Sequence, residues 1–399
     1  MVAPLEGIRV LEVANWVAAP SCAALMADMG ADVVKVEPPG GDALRGIVEQ
    51  PPVESFPGNL TFELDNRGKR SIVIDMQRPG GAALVRRLAA GVEVFVTNLT
   101  QPRAERFGLT FEQLRRVNPQ VVYSVFTGYG TSGPDAARRG FDFTSFWAHS
   151  GIQSVLGEPP SPPPLCRRSQ GDHTSALNLL AATLAALRLR EVTGEAQRCE
   201  VALQRTGMWT IAGDVQRALV TGEQPPRHDR VHPSNPIFNS YPTSDDRWVM
   251  LAMAQTDRYW GRFCQMLERV DWAERYPDFD SLLAGAQELA PEIERRFREH
   301  DLAYWGARLD EFDLTWAPVA ELPEVVRSPQ LRHQGAFAAV AHPAREDFET
   351  IAAPFSIDGA DVHVRGRAPE PGEHSHEVLR DFGLGGEEIA DLAAAGTLG

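Results

Sequence analysis

The sequence predicts an α/β protein with a mainly parallel, Rossmann-like sheet. Short apolar runs alternate with helical segments through the first third of the chain. These runs are continuously apolar, as in strands covered on both faces, and do not alternate as half-exposed strands do. The first strand, helix and strand fit between Ile8 and Glu37, a spacing that requires parallel pairing through a right-handed crossover.

Taken in order, Ile8–Val13 (IRVLEV) reads as a strand, Ala18–Gly30 as a helix and Asp32–Glu37 (DVVKVE) as a second strand. Ser71–Asp75 is a third strand, Gly80–Ala90 a helix and Val92–Thr97 a fourth strand. Pro102–Val117 is largely helical and Gln120–Phe126 is a fifth strand. A glycine-rich connection, Thr127–Pro134, and a proline loop from Glu158 lead to Gly171-Asp172-His173-Thr174. There a long helix begins whose leucines, Leu177 to Leu189, fall on most sides, so burial is expected. Gln197–Leu203 is one more strand and Thr206–Leu219 a helix.

At 399 residues the chain exceeds one ordinary core, and two domains are expected. Residues 1–220 are the N-terminal part of a large domain. In residues 221–242 prolines and polar residues replace periodicity, which marks a linker. Residues 243–313 form a smaller α+β domain. Residues 314–399 are a linker and a C-terminal part returning to the large domain, with strand-like pieces (FAAV, FETIAAPF) and helices at Ser375–Asp381 and Glu387–Ala395.

A net charge of −15 excludes a general nucleic-acid binder, but a local cluster of Arg and Lys still suits an anionic small ligand. Cys22, Cys166, Cys199 and Cys264 are far apart with no CxxC, so neither a metal site nor a disulfide framework is indicated. The start of the chain lacks a signal-peptide pattern, and no apolar run spans a bilayer. A cytoplasmic protein without a membrane partner is expected.

A doubly wound sheet first suggests a nucleotide enzyme. The turn after the first strand reads ANWVAAP, with neither GxGxxG nor GxxxxGK[ST]. HExxH and GxSxG are also absent. The remaining candidate for chemistry is Asp172. A carboxylate at a helix start faces unpaired N–H groups and the positive end of the dipole, which favours a charged nucleophile. Asp is also a preferred N-cap, so the residues alone leave both readings open. Basic residues recur just beyond strand ends: Lys69 and Arg70, Arg103 and Arg106, Arg138 and Arg139. Together they suit a polyphosphate ligand; singly they are ordinary surface charges.

The ordered segments PLEGIRVLEV, GADVVKVEPPGGDALR, NRGKRSIVIDM, VTNLTQPRAERFGL, TGYGTSGPDAARRGFDF and GDHTSALNLLAATLAAL resemble the class III CoA-transferases. That group includes formyl-CoA transferases and carnitine CoA-transferase-like proteins. The similarity spans nearly the whole chain, including APVAELPEVVRSPQLR and PGEHSHEVLRDFGLGGEEIADLAAAG. It implies that Asp172 is the nucleophile, moving CoA from an acyl-CoA to a small carboxylic acid through an anhydride and an aspartyl-CoA thioester. No metal is implied; coenzyme A takes part as acyl-CoA substrate.

The resemblance also implies that Trp16, Val17 and Ala18 line the CoA and the reacting centre. Lys69, Asn98, Leu99, Arg106 and Arg139 match positions near the CoA phosphates, adenine or pantetheine. Asp142 matches an acidic residue near the active site of some relatives. Val17 stands where formyl-CoA transferase has glutamine, which argues against a formyl or oxalyl substrate. Trp16, Val17, Phe141, Phe146 and Trp147 read either as an apolar pocket or as core. The same fold includes α-methylacyl-CoA racemases, whose histidine occurs in a GHD motif. Here the motif is Gly140-Phe141-Asp142, and phenylalanine cannot move a proton. His149 and His173 are the possible substitutes. A CoA-binding protein without turnover is the remaining alternative. The family forms interlocked homodimers, and the connections Thr221–Pro242 and Leu314–Arg327 are long enough for one.

Overall fold

The computed structural model describes residues 1–47, 56 and 58–399. Six parallel strands form the main sheet: β1 (Arg9–Val13), β2 (Asp32–Glu37), β3 (Arg70–Val73), β4 (Val94–Thr97), β5 (Val122–Thr127) and β6 (Gln197–Ala202). Their order is β3-β2-β1-β4-β5-β6, the doubly wound Rossmann order. The direction of winding reverses between β1 and β4, so the loops after these two strands flank the crevice where ligands of such sheets bind.

Two apolar layers cover the sheet. One face carries Val10, Val33, Val94, Val96 and Val122 against α1 (Ala18–Asp28) and, further along the chain, the long helix that includes Leu179 and Leu180. The other carries Leu11, Val34, Ile72 and Phe95. Between α1 and the long helix the chain forms α2 (Leu60–Asn66), α3 (Gly81–Ala89), α4 (Gln101–Phe107), α5 (Phe111–Val117), a π-helical turn at Asp142–Ala148 and α6 (Ile152–Val155). The long helix is α7 (Gln170–Thr193), followed by α8 (Leu203–Thr210) and α9 (Ala212–Thr221).

The segment expected as one largely helical stretch, Pro102–Val117, is two helices. Gly108 takes a left-handed conformation (φ 72) that ends α4, and Thr110 caps α5 in a reciprocal box with Gln113. Helix α7 departs from the expected full burial: Leu177, Leu189 and Val192 are exposed.

Contacts divide the chain into two compact units. The first comprises Met1–Gln153, Leu165–Glu223 and Gln330–Gly399. Within it, Val378 and Leu379 of the helix Ser375–Asp381 join the core beside Ile72 and Val85, and Arg70 pairs with Asp32, Glu377 and Asp381. The second comprises Ser154–Pro164 and Gln224–Pro329. It holds an antiparallel sheet, β7 (Ser240–Pro242), β8 (Trp248–Leu251) and β9 (Trp316–Pro318), and helices between Thr256 and Glu311 that enclose Tyr241, Phe263, Phe297 and Trp305. Ser240–Pro242 falls in the stretch expected to be a linker. Leu314–Arg327, expected as an open connection, instead contains β9 and the helix Leu322–Arg327. Short strands of this kind carry too few residues to show a period, and only their antiparallel partners define them.

Candidate active site

Asp172 is not a helix cap. Helix α7 begins at Gln170; the flanking residue is Ser169, with left-handed backbone (φ 65) and no side-chain cap bond. Asp172 is the third residue of the helix and the acidic group of its first turn. Gly171 before it is required by packing, since a Cβ there would run into Asp142 Oδ1 and the Phe146 ring. Glycine thus lets the start of α7 approach the π-helical turn as closely as it does.

Asp142 opens that turn and is 6% exposed. Neither of its oxygens has a well-formed hydrogen bond; its polar neighbours are the N–H groups of Ser169 and Gly171 and the Trp147 indole. Burial raises its pKa despite these donors. Asp172 is affected more strongly. Burial first, then the charges of Asp142 and Asp65, push its pKa up to about 7, while His173 opposes them. The dipole of α7 favours the anion but does not outweigh burial and like charge.

The loop after β1 lies at the switch point. Asn98, after β4, donates from Nδ2 to Asn15 O at 2.6 Å and accepts from Asn15 N–H at 3.2 Å, tying the two loops together. Leu99 is buried beside it, its N–H on Thr97 Oγ1. Trp16 has φ 72, a strained conformation for a bulky side chain. Its N–H donates to Asp42 Oδ1 at 3.1 Å, and Asp42 Oδ2 pairs with Lys35 Nζ at 2.9 Å. Val17 is buried with Leu44, Phe62 and Ala368, and Ala18 begins α1. Trp16 and Phe141 remain exposed and meet edge to face, with ring centroids 5.7 Å apart. Phe146 and Trp147 belong to the core.

Lys69, expected near the CoA, is buried. Its ammonium is buried against Glu12 Oε2 (2.6 Å), Pro20 O (2.8 Å), Asp65 O (2.8 Å) and Asn66 Oδ1 (2.9 Å), so its three protons have internal acceptors. Burial, with the neighbouring Lys35 adding to it and Glu12 resisting, lowers its pKa to about 8. Arg70 is held by carboxylates as described. Arg106 and Arg139 are exposed, Arg106 over the Phe107 ring at 5.5 Å and Arg139 without a carboxylate partner among the described residues. The glycine connection has two N–H groups engaged: Gly130 on Thr127 Oγ1 and Thr131 on Glu200 Oε1. Among the described residues no group of three His, Cys, Asp or Glu side chains forms a metal site.

Sequence reasoning missed the buried ion chain behind the site. Glu12 of β1 bridges Lys35 (2.7 Å) and Lys69, all within the core. The signal was present: IRVLEV places Glu12, and DVVKVE places Lys35, among buried apolar strand residues, and register pairs the two. Asp65 and Ser21, joined at 2.5 Å, left no such trace.

A β1–β4 crevice with no phosphate-binding glycine loop, beside a carboxylate held at a helix start, distinguishes this site from nucleotide enzymes of the same topology. The family model for CoA-transferase family III matches residues 5–375, and the chain belongs to that family. It is an enzyme of this class, which transfers CoA between acyl-CoA and carboxylic acids. It is 29% identical over 390 residues to (R)-2-hydroxy-4-methylpentanoate CoA-transferase of Clostridioides difficile, covering 96% of this chain and 97% of that one. It is 31% identical to succinyl-CoA:mesaconate CoA-transferase of Haloarcula marismortui, covering 95% and 96%. The solved structure of a CAIB/BAIF family protein from Brucella suis superposes with a TM-score of 0.84 at 28% identity, covering 96% of this chain and all of that one.

Proposed function

We propose that the protein exchanges CoA between an acyl-CoA and a carboxylic acid through covalent intermediates on Asp172. The carboxylate attacks the donor thioester and expels CoA thiolate, giving an aspartyl–acyl anhydride. The thiolate returns to the aspartyl carbonyl, releasing the donor acid and leaving aspartyl-CoA. The acceptor carboxylate attacks that thioester, and the thiolate then takes the acceptor acyl group, which restores Asp172. Each step replaces one activated acyl group by another, so no step needs ATP.

The observation that carries this reading is Asp172 in the first turn of α7, half-buried and close to ionisation at neutral pH. A carboxylate with little water around it is a better nucleophile than a fully hydrated one, provided it is charged. Arg106 and Arg139 are the exposed cations proposed for the CoA phosphates, with Trp16, Val17, Ala18, Asn98 and Leu99 along the crevice and Asp142 beside the reacting carboxylate. Lys69 serves the interior. The exposed Trp16–Phe141 pair favours an acyl group with an apolar side chain over oxalyl.

The test is to incubate the protein with acetyl-, isovaleryl-, cinnamoyl- and succinyl-CoA, add hydroxylamine and map the products by mass spectrometry. A hydroxamate at Asp172, lost in Asp172→Ala, is expected. Absence of that product with every donor, together with solvent deuterium entering the α-carbon, would instead favour a racemase.

We also propose a homodimer of interlocked chains. Helices α7 to α9 of the first unit leave Leu189, Val192, Trp209, Leu219 and Val220 exposed, and large exposed apolar side chains on neighbouring elements suit a protein partner.

A further inference from the structure

The first turn of α7 carries a second titratable side chain next to Asp172. His173 Nε2 lies 3.0 Å from Asp65 Oδ1. Asp65 sits on α2 and is 1% exposed; the same oxygen accepts from Ser21 Oγ of α1 at 2.5 Å. Its backbone carbonyl accepts from Lys69 Nζ. The imidazole is therefore anchored on two other helices, while 40% of the His173 side chain stays exposed. It is both oriented and open to solvent protons.

A helix N-terminus is a poor place for a cation, because the dipole repels it. Burial also works against the imidazolium. Yet Asp65 by hydrogen bond and charge, and Asp172 and Asp142 by charge, raise the His173 pKa overall. Among the described residues, these three carboxylates, from α2, α7 and the π-helical turn, are the charges that raise it, Asp65 alone in direct contact with the ring. A neutral histidine would satisfy the same geometry but leave Asp172 facing Asp142 and Asp65 with no opposing charge.

We infer that His173, oriented by Asp65, is the positioning residue whose positive charge holds Asp172 as a carboxylate, and that this pair sets the pH range over which Asp172 can act. The second clause rests on Asp172 being the nucleophile; the first does not. Glu12, Lys35 and Lys69 form the charged layer beneath Asp65 and keep it fixed.

Two measurements on the full chain test this without thioester turnover. Carbodiimide with glycine ethyl ester modifies protonated carboxyls, and peptide mass spectrometry across pH reads the half-protonation point of Asp172. In His173→Gln this point should rise by about one pH unit, on the order of tenfold in proton affinity, and His173→Lys should bring it back toward wild type. An unchanged midpoint in a His173→Gln protein that melts like wild type overturns the inference. On the unmodified protein, C2-proton exchange followed by mass spectrometry reads His173 directly. Its midpoint should lie above the free-imidazole value of about 6.5 and fall in Asp65→Asn. A wild-type midpoint at or below the free value overturns the inference even where the variants fail to fold. If Asp172 forms no hydroxamate while both midpoints behave as stated, the covalent mechanism fails and the charge pair stands.

Discussion

Asp172 is held in a place that costs the fold something above neutral pH. Its pKa is raised from the usual 3.8 to about 7, chiefly by burial and then by Asp142 and Asp65. A raised acid pKa means that the folded state binds the proton more tightly than the unfolded chain does. The associated stability is fully present below about pH 4 and is lost as pH rises through 7. Asp172→Asn removes that liability. The variant should match wild type in unfolding free energy near pH 4 and exceed it by about 2 kcal/mol at pH 8, a figure discounted for the partial exposure of the side chain. Thermal melts at the two pH values check this. The chemistry should run the opposite way: thioester attack needs the anion, so hydroxamate formation in wild type should climb between about pH 6 and pH 8. An Asn variant no more stable at pH 8 would mean that Asp172 is better solvated than the structure describes. The sequence pointed to this residue through its glycine and the helix that follows. It misjudged the charge, because the dipole is local and readable while Asp65 lies 108 residues from His173 along the chain.

At the scale of elements, the site depends on how closely α7 meets the π-helical turn. Gly171 is the contact point, where the only side chain that fits is a hydrogen atom. Gly171→Ala must displace Asp142, Phe146 or the first turn of α7, and should cost about 2–4 kcal/mol. Because the displaced turn carries Asp172, labelling by acyl-CoA should fall further than the loss of stability alone explains; denaturant titration and hydroxamate yield measured on one preparation separate the two. Strands β1 to β5 were legible because each is a run of buried apolar residues in a βαβ pattern. The π-helical turn was not, since a single wide turn has no repeat to read. Trp16 was unreadable for a related reason: nothing in ANWVAAP announces a positive φ, which is held by the Asp42–Lys35–Glu12 ions two strands deep. Lys69, which by itself reads as an ordinary surface charge, is buried on the same physics. A lysine just before a strand looks like a surface charge until Glu12, opposite it in the core, draws it inward.

At the scale of the molecule, the question is what covers α7 to α9. The leucines of α7 predicted a buried helix, and Leu177 and Leu189 are left open in a single chain, as are Trp209, Leu219 and Val220. No residue of α9 is buried. An amphipathic surface helix turns its polar side to water, whereas this one presents Leu219 and Val220 with exposures of 75% and 78%. Sequence periodicity records that a face is apolar but not whether its cover comes from the same chain, which is why full burial was expected and α7 is buried within the chain on one side only, through Leu179, Leu180 and Leu187. Light scattering should therefore give a mass about twice the 43.8 kDa chain. Trp209→Glu combined with Leu219→Glu should shift the protein toward monomer or aggregate, since desolvating two carboxylates in an apolar interface costs several kcal/mol. Interlocking adds a sharper expectation. An ordinary dimer of standard interface size dissociates and exchanges subunits on dilution, whereas threaded chains separate only by unfolding. Mixed isotopically light and heavy protein should show no hybrid dimers in native mass spectrometry until denaturant is added and removed. Rapid hybrid formation in plain buffer would leave the dimer but remove the threading, and a monomer at micromolar concentration would remove both.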